Sequence, residues 1–216
     1  MKNYFITGTD TGVGKTHVTA LLLAELRRRG LPAAAMKPIA CGADGRGDAK
    51  LYRRLMNDEV TLDRLNPVYL RHPLAPSVAA KLEKRQINLR RIQADFRLLT
   101  SDFSPVLVEG AGGLLVPITS RYFIADLARD LKLPVIIMAQ LGLGTINHTL
   151  LTIRQAQAAG LKVRGFILND TTGQRGLAER TNVHELPALA GVPMLGVIPH
   201  GRCPRRVVGG ILDLLG

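Results

Sequence analysis

The chain has few of the residues that mark several common classes of protein. Its 216 residues include two cysteines, no tryptophan and 4% aromatic residues. Cys41 and Cys203 form no CxxC or Cys/His pattern, and the five histidines lie far apart, so a disulfide scaffold and a structural zinc site are both poor interpretations. The shortage of aromatic side chains also leaves little surface on which nucleic-acid bases stack.

Long apolar runs and export signals are also missing. The longest uninterrupted apolar stretch, 133–139, is far shorter than the roughly 20 residues that cross a bilayer. The first residues show no basic region followed by an apolar region and a small-residue cleavage site. We therefore expect no membrane span and a cytoplasmic location. A hydrophobic content of 46% and a mean hydropathy of +0.12 predict one domain over residues 1–216 with its own core.

Basic residues are in excess, with 29 Lys and Arg against 17 Asp and Glu and a formal charge of +12. Such a charge suggests a nucleic-acid partner, because clustered cations displace counterions from phosphates. Here the arginines are scattered in twos and threes and lack aromatic neighbours. We interpret them as a solvated surface that partly favours anionic small molecules, and we predict no nucleic-acid or membrane partner.

Short apolar segments alternate with longer segments of helical periodicity. This alternation is typical of βαβ units, in which helices cover both faces of a mainly parallel sheet, and it predicts an α/β fold. Gly30, Gly160 and Gly191 each follow a predicted helix, as left-handed C-terminal caps do. The predicted strands cover residues 4–7, 33–37, 105–108, 135–139, 163–168 and 194–198. The predicted helices cover residues 15–29, 48–57, 77–83, 89–99, 124–131, 145–159 and 174–190.

A glycine-rich segment, 8–16 (GTDTGVGKT), joins the first predicted strand to the first predicted helix. It is a variant of the phosphate loop G-x-x-x-x-G-K-[ST], because its first glycine lies one residue further back. In such a loop backbone N–H groups converge on phosphate oxygens and the helix N-terminus adds partial positive charge. Lys15 is then expected on the β- and γ-phosphates and the Thr16 hydroxyl on Mg²⁺. The alternative is a glycine turn that only joins strand to helix.

Charged residues follow two other predicted strands. Glu109 ends an apolar strand, so its carboxylate is expected at the edge where α/β proteins bind ligands. Lys37 ends the second strand at the same edge, where its ammonium can lie over the phosphates. Asp44 and Asp48 follow in the glycine-rich stretch 41–48, which predicts a loop, and spacing alone does not decide which of them reaches Mg²⁺.

Taken together and in order, five segments resemble the dethiobiotin synthetase family, and the resemblance covers nearly the whole chain. The phosphate loop alone is shared with partition ATPases, metal-insertion GTPases and cobyrinate amidating enzymes, but the other segments narrow the resemblance to one family. It implies a fold of the P-loop NTPase type. The segments are 8–16 (GTDTGVGKT), 36–38 (MKP), 108–113 (VEGAGG), 143–148 (LGTINH) and 168–170 (LND).

That family is a homodimeric ATP-dependent carboxylase of biotin synthesis. The resemblance therefore implies the substrates 7,8-diaminononanoate, CO₂ or bicarbonate, and ATP, with Mg²⁺ as the cofactor. A neutral amine adds to CO₂ to give a carbamate, and the γ-phosphoryl group of ATP is transferred to a carbamate oxygen. The second amine then closes the cyclic urea and expels phosphate. Because negative charge gathers at one place, catalysis depends on positioning and cationic stabilisation.

The resemblance also implies roles for individual residues. The catalytic residues are Lys15, Lys37 and Thr11. The metal ligands are Thr16, Asp48 and Glu109, with Asp48 preferred to Asp44 because Asp48-Ala-Lys-Leu is similar to the family's aspartate that opens a helix. The nucleotide contacts are Gly12, Val13, Gly14, Lys15, Thr16, His17, Asp48, Glu109, Gly110, Ala111, Gly112, Asn169, Asp170, Pro199, His200 and Gly201, with Asn169 reading adenine. The substrate contacts are Thr11, Lys37, Cys41, Gly144, Thr145 and Asn147, the last three across the dimer interface.

Three positions leave alternatives open. Cys41 replaces a hydroxyl residue common in the family, and Gly12 lies where relatives can have an acid. Nothing in this chemistry requires a reactive thiol at Cys41. Thr145 has a plainer interpretation as the N-cap of the helix that follows it.

Two other functions compete with the ligase. The first is a nucleotide-switch ATPase of the partition or metal-chaperone type, which the charge of +12 favours. The loop, however, has Gly12 where such switches often have an additional lysine. The second is a basic RNA-binding domain, for which the chain lacks aromatic motifs.

Overall fold

The computed structural model describes residues 2–42 and 45–216. The strands, in chain order, are β1 (Tyr4–Gly8), β2 (Ala34–Met36), β3 (Ile39–Cys41), β4 (Val68–Leu70), β5 (Val106–Gly113), β6 (Pro117–Thr119), β7 (Tyr122–Phe123), β8 (Val135–Gln140), β9 (Val163–Asn169) and β10 (Met194–Ile198). Six of them form a parallel sheet in the order β10-β9-β8-β1-β5-β2. A parallel pair, β3 with β4, and an antiparallel pair, β6 with β7, lie outside this sheet.

Helices connect the strands and cover the sheet. They are α1 (Lys15–Arg28), α2 (Gly47–Leu55), α3 (Leu62–Leu65), α4 (Pro76–Leu82), α5 (Leu89–Asp102), α6 (Ile124–Asp130), α7 (Thr145–Ala158), α8 (Leu177–Ala190) and α9 (Arg205–Leu215). Within the described ranges, none of these helices is long and apolar enough to span a bilayer.

Alternate side chains of the central strands enter two separate cores. On β8, Ile136 and Met138 belong to the larger core, whereas Ile137 and Ala139 belong to the smaller one. Successive side chains of a strand point to opposite faces, so both faces of this sheet are buried. The larger core includes apolar residues of α1 and α9, and the smaller one includes apolar residues of α7 and α8. The predicted α/β fold is confirmed.

The predicted elements of the sheet are confirmed, with limited differences at their ends. Gly30, Gly160 and Gly191 have φ of 79°, 75° and 65°, as the predicted left-handed caps require. The stretch 41–48 is not one loop, because Cys41 ends β3 and Asp48 lies in α2. The strand expected over 105–108 continues to Gly113 as β5.

Candidate functional site

A cavity of about 800 Å³ opens at the carboxyl edge of the sheet, next to the loop between β1 and α1. It brings together most of the residues predicted for the phosphate, metal and substrate contacts. A second cavity, of about 610 Å³, is lined by none of the residues predicted for these contacts. The predicted residues that line the first cavity are Thr11, Gly12, Gly14, Lys15, Thr16, His17, Lys37, Cys41, Asp48, Glu109, Ala111 and Gly112.

The phosphate loop needs glycine at two positions. Gly12 and Gly14 have φ of 80° and 90°, in the left-handed region that side chains with a Cβ rarely adopt. Lys15 begins α1, and its Nζ lies 2.9 Å from the backbone oxygen of Asp10, so the side chain extends across the loop. Burial, assisted by the positive charge of Lys37, lowers the pKa of Lys15 to about 8. The loop therefore holds a buried cation next to its backbone N–H groups.

Four predicted residues form a cluster of charged and hydroxyl groups beside this loop. The ammonium of Lys37 lies 2.6 Å from Glu109 Oε1 and 2.8 Å from Asp48 Oδ2. The Thr16 hydroxyl donates a hydrogen bond to the same Glu109 oxygen at 2.9 Å. Burial works against the charge on Lys37, but Glu109 and Asp48 outweigh it and raise the pKa of the lysine. Two carboxylates and two cations, counting Lys15, therefore meet at one edge of the sheet.

The position of Glu109 differs in detail from the prediction. It does not end a strand, because β5 continues through the small residues to Gly113. Regular pairing of β5 with β1 runs to Ile6 opposite Glu109, and the register then shifts before Gly8 pairs with Gly113. Glu109 thus lies where the regular ladder ends, and its side chain is fully buried.

Lys37 is positioned by a residue that sequence reasoning missed. Asn66 is buried, and its Nδ2 donates to the backbone oxygens of Lys37 and Val68 at 2.7 and 2.9 Å. The backbone N–H of Lys37 donates to Leu65 at 2.9 Å. Both peptide groups of Lys37 are therefore held by the last residue of α3 and the residue that follows it. No local pattern in the sequence signals this contact.

Tyr52 is a second residue that was missed. Its side chain is fully buried in α2, and its hydroxyl donates a hydrogen bond to Glu109 Oε2. Burial and the neighbouring negative charge of Glu109 raise the pKa of Tyr52 well above its usual value. The phenol therefore acts as a neutral donor. The available signal was its spacing of four residues from Asp48, which places both on one face of a helix.

The donors of this cluster fit a hard divalent cation. Thr16, Asp48 and Glu109 offer hydroxyl and carboxylate oxygens, and Mg²⁺ is commonly held by one or two carboxylates together with phosphate oxygens and water. Asp48 and Glu109 both lie within 2.8 Å of the Lys37 ammonium, so the two carboxylates converge on a single positive charge. In the described part of the chain, no group of three His, Cys, Asp or Glu side chains forms an all-protein metal cage. Asp44 lies outside the described residues.

The residues predicted for the nucleotide base do not line this cavity. Asn169 ends β9, and its amide donates to the backbone oxygen of Val13 in the phosphate loop at 3.0 Å. The carboxylate of Asp170 accepts from the backbone of Gly173 at 2.7 Å and from Arg175 at 2.5 Å. His200 lies against the same turn, since a Cβ on Gly173 would be 3.0 Å from its ring. Pro199 and Gly201, the neighbours of His200, also lie apart from the phosphate loop cavity.

Two residues predicted to contact the nucleotide, Val13 in the loop and Gly110 in β5, are buried instead of lining the cavity. Val13 is buried and does not line the cavity, although its backbone carries the contact from Asn169. Gly110 is buried as well, and a Cβ there would lie 2.9 Å from Phe5 and 3.0 Å from Ile124. Glycine at 110 is therefore explained by close packing beneath the site.

The substrate residues fall into two groups. Thr11, Lys37 and Cys41 line the cavity, and burial raises the pKa of the Cys41 thiol to about 11, which argues against a reactive thiolate. Gly144, Thr145 and Asn147 do not line it in the described part of this single chain. The interpretation of Thr145 as an N-cap is wrong. Gly144 is the N-cap, with φ of 88°, and Thr145 is the first residue of α7, with a buried side chain.

Sequence comparison relates the chain to enzymes of one kind. Residues 2–202 match the family model of an AAA domain. The chain is 40% identical over 211 residues to the ATP-dependent dethiobiotin synthetase BioD of Thermodesulfovibrio yellowstonii, covering 91% of this chain and 88% of the relative. It is 41% identical to the ATP-dependent dethiobiotin synthetase BioD of Aromatoleum aromaticum, covering 96% of both chains.

Comparison with solved structures supports the fold alone. The septum site-determining protein MinD of Pyrococcus horikoshii, complexed with Mg-ADP, superposes with a TM-score of 0.61 at 19% identity, covering 99% of this chain and 86% of that one. A ParA family ATPase of Chlorobium tepidum gives a TM-score of 0.56 at 14% identity, covering 99% and 90%. The predicted P-loop NTPase fold is therefore confirmed.

Proposed function

The chain belongs to the ATP-dependent dethiobiotin synthetases, and we propose that its phosphate loop cavity is where ATP, CO₂ and 7,8-diaminononanoate react. As a member of that family the chain is an ATP-dependent ligase that forms C–N bonds in making dethiobiotin. One observation carries the proposal for the site. Lys15, Thr16, Lys37, Asp48 and Glu109 come from four separate parts of the sequence and line a single cavity.

The two lysines supply the positive charge that the chemistry needs. An amine of the substrate attacks CO₂ and loses a proton to give a carbamate, and a carbamate oxygen then attacks the γ-phosphorus of ATP and displaces ADP. Lys15 holds the β- and γ-phosphates from the loop, and Lys37 faces the carbamate and the transferred group. Thr11, at the exposed side of the loop, contacts the amine end of the substrate. Cationic groups fixed in place before the reaction stabilise the developing charge most effectively.

Ring closure needs no nucleophile from the protein. The second amine attacks the carbonyl carbon of the mixed anhydride and loses a proton, and the bond between that carbon and the phosphate oxygen breaks. Inorganic phosphate leaves with the bonding electron pair as the urea ring forms. Lys37 is held by the carboxylates of Asp48 and Glu109. In this assignment it also faces the transferred group, and it stays close to the leaving phosphate. Asp48 and Glu109 outweigh the effect of burial and raise the pKa of Lys37, which favours its charged form.

We assign Mg²⁺ to Thr16, Asp48 and Glu109, whose oxygens fit this ion. When bound, it neutralises charge on the β- and γ-phosphates. The protein's own part is to hold the three oxygen donors on one side of Lys37. The hydrogen bond from Thr16 to Glu109 and the two ion pairs of Lys37 support this assignment.

The base and the substrate carboxylate are assigned to other parts of the chain. Asn169 reads adenine beside Asp170, and Pro199, His200 and Gly201 form the opposite wall of the base pocket. The N-terminus of α7, with Gly144, Thr145 and Asn147, receives the carboxylate of a substrate held by a partner copy, because free N–H groups there favour anions. The active form is thus a homodimer, and its consumption of ATP fits a cytoplasmic enzyme.

The test of this function is product formation by the purified protein. With 7,8-diaminononanoate, bicarbonate and MgATP it should form dethiobiotin and release phosphate in equal amounts. ADP formation that occurs only without the diamine would refute the assignment. Lys37→Gln should lower turnover about 10²- to 10³-fold, the usual effect of removing one donor that stabilises transition-state charge. Lys50→Gln, which changes an exposed lysine of the same helix as Asp48, is the matched control and should retain normal turnover.

The nucleotide-switch alternative shares only the fold. MinD and ParA proteins superpose on the chain at 19% and 14% identity, whereas the dethiobiotin synthetases align at about 40%. A switch would show ATP-stimulated DNA binding that weakens steeply with salt. We expect no such binding.

A further inference from the structure

The two carboxylate oxygens of Glu109 have different partners. Oε1 accepts from Lys37 at 2.6 Å and from Thr16 at 2.9 Å, whereas Oε2 accepts from the hydroxyl of Tyr52. The last torsion of a glutamate side chain is soft, so a carboxylate without a second contact turns easily. A donor fixed on Oε2 therefore determines which oxygen faces the phosphate loop and how its plane is oriented.

Tyr52 also holds the helix that carries Asp48. Helix α2 has nine residues and no side-chain N-cap, and only Ala49 and Tyr52 among them are buried. Asp48 lies four positions before Tyr52, on the same face of the helix. The hydrogen bond from Tyr52 to Glu109 thus connects α2 to β5. The same contact orients one carboxylate and keeps the other beside Lys37.

We propose that Tyr52 is a positioning residue of the nucleotide site. Its hydroxyl orients Glu109 directly and Asp48 through α2, so that both carboxylates are ready for the metal that accompanies the nucleotide. Because a phenol is neutral, it fixes Glu109 without a further positive charge that would compete for the carboxylate. This inference rests on the proposed function, in which Asp48 and Glu109 hold Mg²⁺.

The experiment compares nucleotide binding with and without the metal. Tyr52→Phe keeps the ring that fills the core and removes only the hydroxyl. Calorimetric titration with MgADP should give a dissociation constant about tenfold higher than that of the wild type, since hydrogen bonds to charged groups contribute at least this much. Titration with ADP in EDTA should change by less than twofold, because the phosphate loop itself is intact.

A matched control is available in Tyr4→Phe. Tyr4 is also buried, and its hydroxyl donates to the backbone oxygen of Leu215 at 2.7 Å, away from the cavity. Both dissociation constants should stay at their wild-type values in this variant. In a Glu109→Ala background, where residue 109 has no side-chain acceptor, Tyr52→Phe should have no further effect on MgADP binding.

Four results would overturn the inference. They are equal weakening of MgADP binding and of metal-free ADP binding in Tyr52→Phe, no change in either, a full tenfold effect that persists in the Glu109→Ala background, and failure of Tyr52→Phe to fold. The proposed function is judged separately, by dethiobiotin formation in the wild-type protein. The calorimetry needs only the nucleotide, so the two failures are distinguishable.

Discussion

Lys15, which we assign to the phosphates of ATP, is expected to reduce the stability of the folded protein. Its side chain is buried, and among the described residues its ammonium donates one hydrogen bond, to the backbone oxygen of Asp10. Burial lowers its pKa from 10.5 to about 8. At 1.36 kcal/mol per pKa unit this shift corresponds to about 3 kcal/mol of unfavourable free energy when the lysine is charged in the folded state. Replacing Lys15 with methionine, which is similar in length and uncharged, should remove that term.

The dependence on pH gives the sign of the effect. Between pH 8 and 10.5 the unfolded chain binds a proton at Lys15 that the folded chain has lost, so the stability of the wild type rises with pH in this window. Below pH 8 the penalty is complete. In urea unfolding at pH 7, Lys15→Met should therefore be more stable than the wild type by up to about 3 kcal/mol. The gap should close by pH 10.5.

The control for this prediction is the same substitution at an exposed lysine. Lys162→Met, at an exposed lysine, should show no such gap. MgADP should raise the urea midpoint of unfolding of the wild type. It should raise the midpoint of Lys15→Met much less, because the variant lacks the phosphate contact that we assign to Lys15. A Lys15→Met protein that is less stable than the wild type at pH 7, or a gap that does not change with pH, would refute the electrostatic reasoning.

Three further predictions concern stability and thiol chemistry. The side-chain hydrogen bond from Arg28 is the main reason why the pKa of Glu25 is lowered to about 2. The contribution of Glu25 to stability is therefore present above about pH 4.5 and lost as the pH falls towards 2. In thermal unfolding, Glu25→Gln should lower the unfolding free energy by about 1 kcal/mol at pH 7, a value discounted for the exposed arginines, and should leave it unchanged near pH 2. Asn66→Ala should lower the free energy of unfolding in urea by about 1–3 kcal/mol, since the backbone carbonyls of Lys37 and Val68 lose their donor. An unchanged urea midpoint would contradict this and show that water replaces the amide. Cys41, with its pKa near 11, should react with iodoacetamide far more slowly than a free thiol at pH 7.5, and rapid alkylation measured by mass spectrometry would contradict this.

The central fold is predictable from the sequence because its parallel strands are buried on both faces. Such strands appear as continuous apolar runs, as in residues 135–139. The three-residue strands β3 and β4 are too short to show a periodicity. Helix α9 was missed because Gly209 and Gly210 lower its intrinsic helix propensity, and it forms where Val208, Ile211 and Leu212 pack into the core.

The candidate site is predictable as far as its chemistry is local. The phosphate loop is one continuous segment, and Glu109 and Lys37 follow apolar strands whose direction sets the edge on which they lie. Tyr52 and Asn66 escaped prediction because their partners are 57 and 29 residues away in the chain. Only the packing of α2 and of the segment after α3 brings those partners together.

The hydrogen bond between Asn169 and Val13 limits how this enzyme can be redesigned. Asn169 lies at the end of β9, and β8 separates that strand from β1, so its amide braces the phosphate loop from two strands away. A Cβ on Gly14 would lie only 2.0 Å from the nitrogen of this side-chain amide, so the contact also requires glycine at position 14. In the proposed site, libraries that vary residue 169 to change the preferred triphosphate would also loosen the loop that we assign to its phosphates. Base preference and turnover would therefore change together, and compensating substitutions in the loop would be required to separate them.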